Sequence, residues 1–323
     1  MKLGVVSMSL HMFEFEEGLD AARRLGMEAI EIGCAGFHAP RFGDPEVLLA
    51  DRNELEWWQE AIAGRGLEVS ALAVHGQPLT PDREVAAAYS RQFRQACELG
   101  QAVGVDRLTL LGGLPEGAEG DRTPCWVAVP FPLENPDVLR WQWEERVLPY
   151  WEKHAAIAAD HGCRLCFEMH PGDVVYNPES LLRLREAIGP VIGCNFDPSH
   201  LFWQGIDPLE ALRSLGDAVY HVHAKDTGLQ HHRVRLNGVL DSKPYTRPAE
   251  RAWVFRTVGY GHGASWWREF VSTLRILGYD DVVSIEHEDD FMDGLEGLEK
   301  AATLLRSVLI ERPVTASFWE TMH

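Results

Sequence analysis

A (β/α)8 TIM barrel is the fold this α/β sequence predicts, as a single domain with long loops after strands four and seven. Three observations carry the prediction. Short β-rich apolar runs alternate with amphipathic helical segments from end to end, the pattern of a parallel α/β fold. Eight such runs occur, the number that closes a barrel. No G-x-G-x-x-G follows the first of them, which weighs against a doubly wound sheet.

The strands are, in order, KLGVVS (2–7), EAIEIG (28–33), LEVSALAVH (67–75) and DRLTLLG (106–112). The second half supplies CRLCFEM (163–169), VIGCNF (191–196), AVYHVHA (218–224) and DVVSIEH (281–287). Helical segments intervene, for instance at 81–103, 136–161, 178–188 and 265–278, with a last one at 295–310. Gly26, Gly66, Gly104, Gly162 and Gly278 stand where helices end, as C-cap chemistry requires. The barrel is assigned to 1–311 and a C-terminal extension to 312–323. Two connections, 112–135 and 225–264, are longer than structural linkage needs. Both are expected on the C-terminal face, as a lid or a subunit contact. Trp126 and Trp253 within them read as packing or interface residues, with Trp126 or Phe131 stacking on a sugar ring as the alternative.

With 46% hydrophobic residues the chain can bury a sizeable core. Its 49 acidic and 30 basic residues give a formal net charge of −19, which argues against nucleic acid as a partner. The N-terminal MKLGVVSMSL lacks a signal peptide's apolar stretch, and no run approaches the roughly 20 residues needed to span a bilayer. A cytoplasmic protein with no membrane contact is expected. Cys163 and Cys166 form a C-x-x-C inside a strand, where residues three apart face opposite ways. Buried thiols are therefore favoured over a zinc or redox pair.

The chemistry sits at strand ends. Residues at the C-terminal ends of barrel strands converge on one mouth. Glu168, Asp197, His223 and Glu286 end strands five to eight in that order. Three carboxylates and one imidazole there would hold a hard divalent cation. A single acid at a strand end is as readily a helix cap or ion-pair partner; four in succession make coincidence the poorer account. His200 follows in D-P-S-H, and His221 lies two residues before His223 on the same strand face, one layer deeper. His154, His161 and His323 lack such placement and are expected at the surface.

Five segments carry a family resemblance: FEMHPGD (167–173), NFDPSHLFWQGIDP (195–208), HVHAKD (221–226), GYGHG (259–263) and SIEHED (284–289). In order and spacing the chain resembles the xylose isomerase-like TIM barrels, the sugar phosphate isomerase/epimerase group that includes endonuclease IV (AP endonuclease family 2) and inosose dehydratases. The resemblance implies one divalent metal, Mn2+ first and Mg2+, Co2+ or Zn2+ as alternatives, held by Glu168, Asp197, His223 and Glu286. Departures narrow it. Endonuclease IV relatives bind three zincs and need a histidine after strand four, where this chain has Leu111–Gly112–Gly113. Ketose 3-epimerases carry an arginine six residues past the metal histidine; that place is Leu229 here, leaving Arg233 or Arg235 to substitute. Lys225 and Asp226 match the H-x-K-D of inosose dehydratases.

The expected activity is a metal-dependent sugar isomerase or epimerase acting on a ketose, keto-sugar or related polyol. It would proceed by proton abstraction beside a carbonyl through a metal-stabilised enediolate. Glu168 and Glu286 are the catalytic acid/base pair; His75, His170, His200, Lys225, Asp226 and His262 are the substrate-contact candidates. The alternative is a lyase, an inosose dehydratase-like enzyme or a keto-glycoside β-eliminating one, with Lys225 or His200 as general acid. A phosphodiesterase acting on abasic DNA is opposed by the charge and the missing histidine, and failure to bind any ion would favour a non-catalytic barrel. The only weak phosphate motif is GYGHG, which slightly favours an unphosphorylated substrate. Aromatic long loops and the C-terminal TASFWETMH point to a homodimer or homotetramer.

Overall fold

Parallel pairing closes eight strands into one barrel in the computed structural model, which describes residues 1–37, 40–314 and 319–322. The strands are β1 (Lys2–Val6), β2 (Ala29–Gly33), β3 (Glu68–Ala73), β4 (Arg107–Leu111), β5 (Arg164–Glu168), β6 (Ile192–Phe196) and β7 (Val219–Ala224). Two short strands follow, β8 (Asp226–Leu229) and β9 (Trp253–Arg256), before the last barrel strand β10 (Val282–Ile285). The ring runs β1-β10-β7-β6-β5-β4-β3-β2, and β1 closes it by pairing with both β2 and β10. Every expected barrel strand is present, each end within two residues of its expected place. The aliphatic runs are legible because strands buried on both faces carry almost no polar interruption.

Helix ends follow from local chemistry. Asp82 accepts hydrogen bonds from the amides of Glu84 and Val85 and so starts the helix Arg83–Val103. Gly104 ends it at φ 76°, donating to the Gly100 carbonyl in a conformation that a Cβ would strain. Asn177 and Ser180 form a reciprocal capping box at the helix Pro178–Ile188. Between helices and strands the core packs Phe93, Trp151, Phe167, Phe196, Trp267 and Phe270, all under 2% exposed. Each such side chain contributes about 1.5–3 kcal/mol by leaving water. The barrel interior is less ordinary: Glu31, Thr109, Asn195, His221 and Ser284 are fully buried.

Three expectations change. Alternation of one strand with one helix fails after β2, β6 and β7, where two separate α-helices precede the next barrel strand. The second long connection is not irregular, because β8 and β9 form an antiparallel hairpin with Asp226 opposite Arg256 and Leu229 opposite Trp253. Trp253 stacks on Trp203 at 4.5 Å and thereby pins that hairpin to the helix Ser199–Gln204. His154 is buried rather than exposed: its Nδ1 meets the Tyr150 carbonyl at 2.8 Å and its ring stacks on Tyr150 at 3.8 Å. An imidazole has enough apolar face to serve as a core ring when one nitrogen is satisfied. In the first long connection Trp126 packs edge-on to Tyr176 at 5.5 Å, and Phe131 is 73% exposed. The cysteines are free, and Cys163 and Cys166 are buried as expected. No described helix is long and apolar enough to cross a membrane. Residues 315–318 and His323, with the readings made of them, lie outside the described residues.

Candidate metal centre

Glu168 is the last residue of β5, His223 the fifth of β7, and Asp197 and Glu286 the first residues past β6 and β10. In a parallel barrel these positions share one layer at the mouth. One ligand atom from each of the four lies within 4.8 Å of every other, and all four residues are buried. His223 Nδ1 stands 3.2 Å from Glu168 Oε2 and 3.1 Å from Glu286 Oε2. Asp197 Oδ1 accepts from the Ser199 amide at 2.8 Å, while Oδ2 is buried without a hydrogen-bond donor. That oxygen meets His200 Nε2 at 3.3 Å and Lys225 Nζ at 3.5 Å without a hydrogen bond to either, which leaves its lone pairs open to a closer cation. Three carboxylates and an imidazole nitrogen, so placed, fit a hard divalent ion.

Cations of the chain surround the same oxygens. Lys225 Nζ is 3.0 Å from Glu286 Oε2, 3.1 Å from Glu288 Oε2 and 3.5 Å from Asp197 Oδ2. It also sits 4.5 Å over the Phe255 ring. Burial works against its charge, but Glu286, Glu288 and Asp197 outweigh it and hold the ammonium well above its ordinary range. His200 Nε2 lies 3.0 Å from Glu168 Oε1 and 3.3 Å from Asp197 Oδ2. Burial alone would raise the Glu168 carboxyl; the hydrogen bonds from His200, His223 and His75 pull it well below the usual range. For Glu286, burial is likewise overcome by Lys225 and His223, bringing it down to about 2. Both members of the expected acid/base pair are thus held ionised.

Of the expected substrate contacts, His75 lies 3.5 Å from Glu168 through Nε2, and His170 packs against the His200 ring at 4.3 Å. His170 is pushed down to about 3 by burial and by the neighbouring His200, so its imidazole is neutral. Its Nδ1 is engaged by the Pro171 carbonyl at 2.8 Å, which leaves Nε2 as an acceptor. His170, Phe255 and Glu288 line a cavity of about 610 Å³ together with Met8, Tyr245 and Met292. Asp226 and His262 have a different place. Asp226 Oδ2 accepts from the amides of Gly259, Gly261 and His262 at 2.8–3.0 Å, and Oδ1 from the Thr227 amide and His262 Nδ1. The GYGHG amides are therefore spent on a carboxylate of the chain itself rather than left to cradle a phosphate. Gly261 is required there, since a Cβ would meet the Thr227 carbonyl oxygen at 2.3 Å. Arg233 donates to the Ala249 carbonyl, away from the cavity; the arginine on the cavity wall is Arg251, its guanidinium stacked on Tyr245 and Trp253.

Sequence reasoning missed Glu31. Its carboxylate lies under His223, with Oε2 2.8 Å from both His221 Nε2 and His223 Nε2, and Oε1 accepts from Thr109 Oγ1 at 2.6 Å. The signal was present as a lone acid between Ile30 and Ile32 in a strand buried at every position.

The family model for the xylose isomerase-like TIM barrel matches residues 19–308. The chain is 37% identical over 313 residues to the uncharacterized protein YfiH of Bacillus subtilis, covering 96% of this chain and 99% of YfiH. It is 33% identical to the inosose dehydratase of Geobacillus kaustophilus over 86 residues, 26% of this chain and 28% of that one. Among solved structures, the IolI protein with a bound zinc atom superposes with TM-score 0.65 and 18% identity, over 96% of this chain and 100% of IolI. The D-psicose 3-epimerase of Clostridium cellulolyticum H10 superposes with TM-score 0.63 and 13% identity, over 96% and 99%. At such identities the two structures speak for the fold alone.

Proposed function

We propose that this chain, which belongs to the xylose isomerase-like TIM barrel family, is a divalent-metal-dependent sugar isomerase or epimerase acting on an unphosphorylated ketose, keto-sugar or related polyol. The observation that carries this reading is the convergence of Glu168, Asp197, His223 and Glu286 within 4.8 Å at the barrel mouth. A divalent ion bound there, Mn2+ first and Mg2+, Co2+ or Zn2+ as alternatives, would supply Lewis-acid polarisation of a substrate carbonyl.

The chain's own residues do the rest. Glu168 and Glu286 come from opposite sides of His223, so one carboxylate can take a proton from the carbon beside the carbonyl and the other can return it on the other face. Asp197 and His223 hold the ion. Burial of all four at 8% exposure or less keeps the local dielectric low, which strengthens each charge interaction. His170 Nε2 and His200 can orient substrate hydroxyls above the pair. The engaged GYGHG amides and the acidic wall at Glu288, Asp289 and Asp290 favour a substrate without phosphate. The partial likeness to inosose dehydratase supports a sugar or cyclitol substrate.

A second reading rests on Lys225, whose ammonium is poised between Glu286 and Glu288. Once a carboxylate has taken the α-proton, the freed electron pair can form a C=C bond as the β-C–O bond breaks. Lys225 would hand its proton to the departing oxygen, releasing water or an alcohol. That is the dehydratase, or keto-glycoside β-elimination, outcome on the same site.

The test is incubation of Mn2+-loaded protein in D2O with ketoses, 3-keto-sugars and inososes, followed by NMR and mass spectrometry. Deuterium gained at carbon with the elemental formula otherwise unchanged supports the isomerase. Loss of water or of an aglycone moves the chain to the lyases. Glu168→Gln and Glu286→Gln should each abolish most turnover in a folded barrel; parent-like turnover in both would sink the acid/base assignment. Exposed Val129, Phe131 and Leu133 support a homodimer or homotetramer, read by light scattering, and the free, mostly buried cysteines support a cytoplasmic setting.

A further inference from the structure

We propose that Glu31 is the positioning residue of the metal centre, fixing His223 in the tautomer whose Nδ1 lone pair faces the ion. The inference rests on reading Glu168, Asp197, His223 and Glu286 as one metal site and goes on to say what makes His223 a ligand there.

A neutral imidazole carries its hydrogen on one nitrogen and its lone pair on the other. Only Nδ1 of His223 lies among the Glu168 and Glu286 oxygens, at 3.2 and 3.1 Å. Nε2 points the other way, 2.8 Å from Glu31 Oε2. A carboxylate only accepts, so when Nδ1 turns its lone pair to an ion the ring's one hydrogen is kept on Nε2, facing Glu31. The same contact raises the donor strength of Nδ1 and locks the ring plane.

Glu31 is itself held from two strands. Thr109 of β4 donates to Oε1 at 2.6 Å, and His221 of β7 donates to Oε2 at 2.8 Å. The β2–β3 register slips between Ile30 and Glu31, and such irregularities re-aim a side chain. His221 Nδ1 is buried without a hydrogen-bond partner, so the ring is anchored through Nε2 on Glu31. The sequence separation of 192 residues between Glu31 and His223 makes this a product of barrel closure alone. Glu31, His221 and His223 also bring three ligand-type atoms within 4.8 Å of one another, as an ion site of their own would. Against that, both imidazoles aim Nε2 at one oxygen at hydrogen-bond spacing and Thr109 occupies the other, which is a donor shell for a carboxylate rather than a ligand shell for a cation.

The experiment titrates Mn2+ by calorimetry into metal-free full-length parent, Glu31→Gln, Thr109→Val and His221→Gln, with the melting temperature of each metal-free form recorded alongside. The parent should bind one Mn2+ per chain. Glu31→Gln should bind about 10–100-fold more weakly, the usual effect of removing a ligand's outer partner. His221→Gln, which removes the other hydrogen bond that holds Glu31, should likewise weaken binding by about twofold or more, and by less than Glu31→Gln does. Thr109→Val, which loosens Glu31 without touching His223, should weaken binding by about twofold or more. A purely structural Glu31 would instead lower the metal-free melting temperature and leave affinity unchanged, and Glu31→Gln within threefold of the parent overturns the proposal. Should Glu31→Gln fail to fold, parent-like affinity in Thr109→Val overturns it equally. Two ions per chain overturn it as well, because Glu31 would then be a ligand. A parent that binds no divalent ion overturns the metal reading and this inference together, an outcome distinct from equal affinities.

Discussion

Replacing Asp226 with asparagine changes one atom type and no volume, yet the structure makes it a severe test of the long loop after β7. Both carboxylate oxygens are saturated: Oδ2 accepts three backbone amides, and Oδ1 accepts the Thr227 amide and His262 Nδ1. Whichever way the asparagine amide turns, its NH2 faces at least two donors that held an acceptor before. Each orphaned donor costs about 1–3 kcal/mol when buried. Gly261 is exposed and His262 half-buried, so water can serve part of the loss, leaving about 2–4 kcal/mol. With an unfolding entropy of about 2.1 cal/mol/K per residue, a chain of 323 residues should melt about 3–6 °C lower. Scanning calorimetry of the metal-free Asp226→Asn variant reads this directly. Mn2+ affinity should change little, since Asp226 is not among the four residues that gather the ion. An unchanged melting temperature with a raised KM would refute the reasoning and return Asp226 to substrate contact.

Two further outcomes follow from the same geometry. Mn2+ at about 100 times its dissociation constant should stabilise the fold by about 2.7 kcal/mol, and so raise the melting temperature by about 4 °C. EDTA should reverse the shift, and no shift at saturating Mn2+ would count against the ion site. Asp280 pairs with the N-terminal ammonium and with Arg275 at 2.7 Å each, which brings its carboxyl from 3.8 to about 2. A depressed carboxylate contributes stability that is full above its unfolded value near 4 and lost as pH falls through about 2. The side chain is 39% exposed, so screening holds the contribution below about 1 kcal/mol. Urea unfolding of the parent and Asp280→Asn should therefore differ slightly at pH 6 and converge by pH 2; a gap that widens in acid would contradict the pairing.

Much of the fold could be read locally. Strand runs such as VIGCNF and helix stops such as Gly104 depend on residues within a turn or two of one another, where burial and φ preference act directly. The β8–β9 hairpin escaped because Asp226–Leu229 is four residues long and contains glycine, which no strand propensity singles out. His154 escaped because its burial depends on Phe93 and Tyr150 closing over it, not on its position along the helix.

The site divides along the same line. By itself the sequence determined that Glu168, Asp197, His223 and Glu286 end successive strands, and in a parallel barrel a strand end is already a place. Only the tertiary structure decided that Asp226 faces the GYGHG amides and that Glu31, on β2, lies under His223 on β7. Those contacts join residues 35 and 192 positions apart. Strand order alone does not set which interior side chains meet across a closed barrel. That is decided by the stagger of the ring and by the slip at Ile30–Glu31, and neither leaves a periodic trace in the residues that make it.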